Sequence, residues 1–243
     1  MEPRGPAWVG IGAQRSGTTW FTDLLTQHPA VGLARNGRKE QHYFDTAVVE
    51  GWTGDDAAGY QDLFEDDGVR RGEYTPAYLR LPHVPALLRS ACPEPLLLVL
   101  LRDPVERFHS AMRWYARQRE ARPARRPTPR THRQFTEQAV WAGMYATQLD
   151  MWSAVFDPGR FVVMQYEAVR EHPQEAVDAV IERLGLEPVR LSGADLPSAT
   201  STGGAHGDAL PGLDAALRRI YLPEVARLAG DWGVDPGRWP SFA

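Results

Sequence analysis

Near the start of the chain, Gly12-Ala13-Gln14-Arg15-Ser16-Gly17-Thr18-Thr19 sets two glycines among the donor side chains of Arg15, Ser16, Thr18 and Thr19. Glycine lets a backbone turn tightly enough for successive N–H groups to converge on one anion. The frame G-x-x-x-x-G-x-T has the spacing of a P-loop. Its surroundings agree. Trp8 to Ile11 is a short apolar run that predicts a strand, and Thr19 to Gln27 carries Trp20, Phe21, Leu24 and Leu25 at helical spacing. A helix that starts at the loop adds the positive end of its dipole. The chemistry indicated is the cradling of an anionic, phosphate-like group.

A P-loop that cleaves nucleoside triphosphates carries lysine directly after its second glycine, reaching the β- and γ-phosphates. Here that position is Thr18, and the chain holds a single lysine, Lys39, against 26 arginines. Abundant Ala, Gly and Pro accompany the scarcity of lysine, a composition that GC-rich codon usage produces. Any mechanism that needs a lysine must nevertheless use Lys39. The apolar run Leu96 to Leu101 ends in Arg102 before Asp103, a poor match to the strand-end carboxylate that would hold Mg²⁺. Cleavage of ATP or GTP is disfavoured on both counts, and a small-molecule kinase remains the alternative.

The elements that must position these residues follow from periodicity. Val31 to Ala34, Arg71 to Thr75, Leu96 to Leu101 and Phe161 to Gln165 read as further strands, Leu96 to Leu101 as one buried on both faces. Helices are expected from Pro104 to about Arg119, over 133–156, over 173–184 and from Leu213 to Leu228. Strands alternating with helices predict an α/β fold, a single domain over residues 1–243 with a central, mostly parallel sheet flanked by helices. Two stretches depart from the rhythm. Residues 40–73 hold ten acids against two arginines and read as an exposed acidic segment. Residues 113–133 hold eight arginines and one acid, Glu120, and read as a helix end running into a flexible basic loop, either a solvated surface loop or a mobile flap over an anionic ligand.

Composition bounds the rest. The chain has 243 residues and a net charge of −4, which speaks against a generally basic nucleic-acid binder. One cysteine, Cys92, excludes an intrachain disulfide and a multi-cysteine metal site, and reads as a small buried thiol. No charged stretch leads into an apolar leader, and no apolar run approaches about 18 residues. The expectation is a cytoplasmic protein with no membrane partner.

Gln14-Arg15-Ser16-Gly17-Thr18-Thr19-Trp20 resembles the 5′-phosphosulfate-binding loop of sulfotransferases that use PAPS, 3′-phosphoadenosine 5′-phosphosulfate. The second signature of that family is a strand followed by Arg-Asp/Asn-Pro, with a serine eight residues after the arginine. Arg102-Asp103-Pro104 and Ser110 are similar to it in sequence and in spacing, about 85 positions downstream of the loop. Arg38-Lys39-Glu40-Gln41-His42-Tyr43-Phe44-Asp45 resembles the Lys-Glu-x-His-Phe-Phe segment of the heparan-type enzymes, and Gly72-Glu73-Tyr74-Thr75-Pro76-Ala77-Tyr78 resembles their Glu-Lys-Thr-Pro-Ala-Tyr segment.

The resemblance implies PAPS as co-substrate, PAP as product and no required metal. It gives Arg15, with Ser16, Gly17, Thr18 and Thr19, the donor's 5′ end. Arg102 and Ser110 take its 3′-phosphate. Trp20, and Tyr166 in Gln165-Tyr166-Glu167, meet adenine unless they serve as plain core aromatics. The catalytic group is then Arg15 with Glu40 as base, or His42 as the rival base. The partner implied is a small-molecule hydroxyl acceptor, because the short, Arg-rich chain resembles bacterial enzymes that tailor secondary metabolites or glycosides. A PAP-binding module without catalysis is the third reading. Two departures stand out. The family lysine of the Glu-Lys-Thr-Pro segment is Tyr74 here, and the late loop that closes on the nucleotide, matched to Ser198 to Gly207, holds no Lys or Arg.

Overall fold

A computed structural model of the chain describes residues 5–64, 67–121, 128–192, 210 and 212–243. The loop Ser198 to Gly207 therefore lies outside the described residues. Five strands form the sheet: β1 (Trp8–Gly12), β2 (Val31–Leu33), β3 (Arg70–Tyr74), β4 (Leu96–Leu101) and β5 (Phe161–Gln165). Their order is β2-β3-β1-β4-β5 and every pairing is parallel. The register sets Trp8 opposite Gly72 on one side and Leu96 on the other. In such a sheet the loops after the strands share one edge, where ligands bind. The phosphate loop, Thr75, Arg102 and Tyr166 all follow strand ends on that edge.

The helices are α1 (Thr18–Leu25), α2 (Ala47–Glu50), α3 (Gly54–Gln61), α4 (Val84–Ala91), α5 (Pro104–Ala121), α6 (Pro129–Trp141), α7 (Tyr145–Ser153), α8 (Tyr166–Glu171), α9 (Pro173–Arg183) and α10 (Leu213–Trp232). Side chains alternate across a strand, so β4 supplies two cores at once. Leu97, Val99 and Leu101 join the core with α4, α5, α7 and α10, while Leu96, Leu98 and Leu100 join α1, α8 and α9. All six are buried, each contributing on the order of 1.5–3 kcal/mol. Cys92 is buried, as its sequence context predicts. Its thiol donates to the Pro6 carbonyl at 3.5 Å, and burial pushes its pKa up to about 11.

Three expectations need correction. The helix expected over 133–156 is two, broken at Ala142-Gly143-Met144. A Cβ on Gly143 would lie 2.8 Å from the Tyr221 ring, so close packing against α10 favours glycine at a position where it weakens a helix. The acidic segment 40–73 is not uniformly exposed, because it contributes α2, α3 and the buried Phe44, Tyr60 and Glu73. The basic stretch 113–133 opens on the expected helix end, α5 running to Ala121, but the next helix, α6, starts at Pro129 behind a Thr128 cap rather than at 133.

Candidate active site

The loop between β1 and α1 turns through two residues of positive φ, Arg15 at 70° and Gly17 at 86°. Gly17 is required twice over. Its φ is left-handed, and a Cβ there would fall 2.6 Å from the Tyr166 ring. No side chain caps α1, so its first N–H groups lie beside Gly17 and the hydroxyls of Thr18 and Thr19. Gln14, Arg15, Gly17, Thr18 and Thr19 line a cavity of about 690 Å³. The Ser16 side chain is buried and lies off this lining.

The second motif reaches the same cavity from β4. Asp103 is fully buried and acts as the cap of α5: its Oδ1 accepts from the N–H groups of Val105 (2.9 Å) and Glu106 (3.2 Å), and its Oδ2 from that of Ser241 (2.8 Å). Both oxygens of this strand-end carboxylate thus serve the backbone. Asp103 N–H donates in turn to Glu167 Oε1 at 3.1 Å, tying the start of α5 to α8. This cap aims Arg102 and Ser110 at the cavity. Arg15 Nε donates to Ser110 Oγ at 3.4 Å, and Arg102 lies 5.2 Å from the centroid of the Tyr166 ring. Tyr166 lines the cavity, whereas Trp20 packs edge-on to Tyr166 at 6.3 Å, outside the lining. Arg107, one turn further along α5, is buried and donates to the Ala139 carbonyl, a structural role.

The segment after β2 is held along the end of β3. Tyr74 N–H donates to the Lys39 carbonyl at 2.7 Å, and Gln41 N–H reaches both Glu73 Oε2 (3.1 Å) and Thr75 Oγ1 (2.9 Å). Glu73 is fully buried. It also accepts from Thr75 Oγ1 (2.5 Å), Tyr60 Oη (2.8 Å) and Tyr78 Oη (3.2 Å). Burial raises its pKa against the pull of those donors. The fixed segment places Glu40 in the cavity lining. His42, with φ 54°, lies behind Glu40: its Nε2 is 3.1 Å from Glu40 Oε2 and its Nδ1 2.8 Å from Asp45 Oδ2. His42 does not line the cavity. The geometry therefore brings together Arg15, Gly17, Thr18, Thr19, Glu40, Arg102, Ser110 and Tyr166, and leaves Ser16, Trp20 and His42 off the cavity surface.

The sulfotransferase family model matches residues 6–190, which includes both motifs and the Glu40 segment. The chain belongs to the sulfotransferase family. Among relatives, it is 28% identical over 192 residues to human heparan sulfate glucosamine 3-O-sulfotransferase 6, covering 76% of this chain and 54% of that protein. It is 32% identical over 118 residues to the membrane-associated sulfotransferase kil1 of Dictyostelium discoideum, covering 46% of this chain and 24% of that protein. The chain thus spans about half the length, or less, of these relatives. The fold matches a sulfotransferase from Alicyclobacillus acidocaldarius with a TM-score of 0.73 at 23% identity, covering 96% of this chain and 98% of the other. It also matches the sulfotransferase domain of a Synechococcus olefin synthase with a TM-score of 0.61 at 14% identity, covering 97% and 98%. Among the described residues no helix is long and apolar enough to cross a membrane.

Within this sulfotransferase fold, Lys39 and Tyr74 lie side by side under the phosphate loop. Tyr74 is buried and its Oη donates to the Gly12 carbonyl at 2.8 Å, under the phosphate loop. Lys39 Nζ lies 5.5 Å from the centroid of the Tyr74 ring and donates to Thr18 Oγ1 (3.2 Å), Thr19 Oγ1 (3.1 Å) and Glu40 Oε1 (3.0 Å). The only lysine of the chain therefore stands between the phosphate loop and Glu40. Burial holds its ammonium below the ordinary lysine value of 10.5, against the opposing pull of Glu40.

Two groups of residues were not named singly from the sequence, although the stretches 36–80 and 113–133, expected to shape the acceptor pocket, contain all of them except Phe135 and Gln138. Arg113 and Arg117 follow Ser110 at helical spacing on α5. Burial, then the charges of Arg117, Arg102, Arg113 and Arg107, pushes the Arg15 guanidinium below its usual range. The start of the basic stretch is thus a helical extension of the cationic site. Both arginines fall within the helix expected from Pro104 to about Arg119, and their spacing from Ser110 was the available signal. The second group is the far wall of the cavity, made by Pro76, Arg80, Trp114, Tyr115, Gln118, Phe135 and Gln138. It draws on three separate segments, and no motif marks it.

Proposed function

We propose that the chain transfers a sulfuryl group from PAPS to a hydroxyl of a small-molecule acceptor, releasing PAP, with Glu40 as base. The observation that carries this reading is the Arg15 to Ser110 hydrogen bond, which joins the two motifs on the rim of the cavity that Glu40 also lines. The residues present suit the donor. The uncapped start of α1, the left-handed turn at Gly17, and the side chains of Arg15, Thr18 and Thr19 suit its 5′ end. Arg102 and Ser110, in the field of Arg113 and Arg117, suit its 3′-phosphate. Tyr166 offers a flat face for adenine, with Trp20 packed behind it. When bound, the donor supplies SO₃ on a phosphate oxygen.

The chain's own residues then carry out the transfer. Glu40 takes the proton of the acceptor hydroxyl as that oxygen bonds to sulfur. The S–O bond to the phosphate breaks, and its electron pair stays on the phosphate oxygen. Arg15 and Lys39 face the charge that develops there. His42, set between Glu40 and Asp45, holds the Glu40 carboxylate in place.

A thermal-shift comparison tests the reading. PAP should stabilise the protein without magnesium, by an amount that grows with ligand concentration. PAP release from PAPS in the presence of an acceptor should follow, and should be lost in Glu40→Gln. The small-molecule kinase reading has one favourable observation, Lys39 beside Thr18. Stabilisation by Mg·ATP with none by PAP would establish it instead. PAP binding without turnover of any acceptor would leave the non-catalytic module.

A further inference from the structure

The acceptor end of the cavity contains a cation that the transfer itself does not use. Arg80 lies in the 3₁₀ turn Tyr78–Arg80 after β3 and lines the cavity together with Glu40. Its backbone carbonyl accepts from Trp141 Nε1 at 3.0 Å, which fixes the turn against α6. Its Nε is buried and has no hydrogen-bond partner among the described residues. Its guanidinium forms no ion pair among them, and the pull of Asp45 only partly opposes the burial that lowers its pKa. A half-buried guanidinium without a carboxylate partner is costly unless an anion completes it.

The neighbouring surface is aromatic. Tyr115 and Phe135 stack with ring centroids 4.0 Å apart and planes within 10°. Trp114 lies over Phe135 at 6.3 Å and 25°. All three line the cavity. The Tyr115 hydroxyl, like Arg80 Nε, is buried and without a partner among the described residues. A ligand that satisfies this wall needs a planar apolar face for the rings and an anionic group for the guanidinium. A saccharide instead presents hydroxyls around its whole rim. Besides Arg80, this wall meets them with the Gln118 and Gln138 amides, the Tyr115 hydroxyl and the Trp114 indole N–H, while Pro76, Ala111 and Phe135 offer no side-chain partner.

We propose that the acceptor is an aromatic hydroxy acid, its ring against the Tyr115–Phe135 stack, its carboxylate on Arg80 and its hydroxyl toward Glu40. This rests on the sulfotransferase reading above. The step is the one already written, with the phenolic oxygen forming the new S–O bond, its proton passing to Glu40 and the bond to the phosphate oxygen breaking.

The test is PAP release from PAPS with four acceptors: 4-hydroxyphenylpropionate, its methyl ester, 4-hydroxycyclohexanecarboxylate and glucuronate. The phenolic acid should exceed its ester in kcat/KM by about tenfold or more, the usual weight of one charge-assisted contact. It should also exceed both non-aromatic acids. In Arg80→Gln the value for the acid should fall to that of the ester, while PAP still raises the Tm of the variant and so reports an intact fold. Phe135→Ala should raise KM for the phenolic acid more than for the cyclohexane acid. Equal use of acid and ester, a preference that survives Arg80→Gln, a better rate with glucuronate, or no turnover of the four by a protein that binds PAP would each overturn the proposal and leave PAP binding standing. Failure of PAP to bind at all would overturn the sulfotransferase reading itself.

Discussion

The two ends of the cavity are built in different ways. At the loop end the anion site is largely backbone: a turn with two positive φ values, an uncapped helix start and a few donors from two short motifs. At the far end the surface consists of side chains from the turn after β3, from α5 and from α6. The first arrangement must suit a chemical group common to every turnover. The second can vary without disturbing the first, because loops and helix faces carry specificity on a constant scaffold. Helix α5 serves both, with Ser110, Arg113 and Arg117 toward the cationic site and Trp114, Tyr115 and Gln118 toward or beside the aromatic wall.

The contrast can be broken or sharpened by substitution. Glu40→Gln, at the junction, should lower kcat by about 10²–10⁴-fold with PAP affinity unchanged, the range for a lost general base. Near-normal turnover would instead move the role to His42, and weakened PAP binding would show that the two ends are not separable. Arg15→Gln should weaken PAP by about 10–100-fold through loss of a charge-assisted contact, read by calorimetry. Arg113→Ala with Arg117→Ala should weaken PAP several-fold at low salt and less at high salt, since charges acting through a field are screened. An effect independent of salt would make them direct ligands. The smallest effect should be in the pH profile of PAP affinity. Deprotonation of Lys39 removes a positive charge facing the anion, so affinity should fall as pH rises through a value below 10.5. Lys39→Arg keeps its charge and should flatten that limb. An unchanged profile would take Lys39 out of the donor site.

Much of the loop end was legible because its motifs are local. Gly17, Thr18 and Thr19 are contiguous with the turn they make, and the Arg102-Asp103-Pro104 run carries its own helix cap. The strands were legible for the same reason, since the six-residue apolar run of β4 can only be buried on both faces. The break between α6 and α7 was not, because it follows from the approach of Tyr221 on α10, about 80 residues away. Nor was the burial of Glu73, which reads as one acid in an acidic segment until Tyr60, Tyr78, Thr75 and Gln41 close around it.

The lone lysine divides the two kinds of information. Its identity and count are sequence facts, and so is the replacement of a family lysine by Tyr74. Its place at Thr18 and Thr19 was decided by the tertiary structure. Parallel pairing of β2 to β3 and of β3 to β1 brings the chain after β2 beside the loop after β1. By itself the sequence determined the anion-cradling loop and the family it resembles, because the turns, caps and donors that cradle an anion are encoded within a few adjacent residues. The partners of Glu40, the neighbours of Arg15 and the aromatic wall beside Arg80 were decided only by folding. Each depends on side chains meeting across distant segments, which periodicity and spacing do not record.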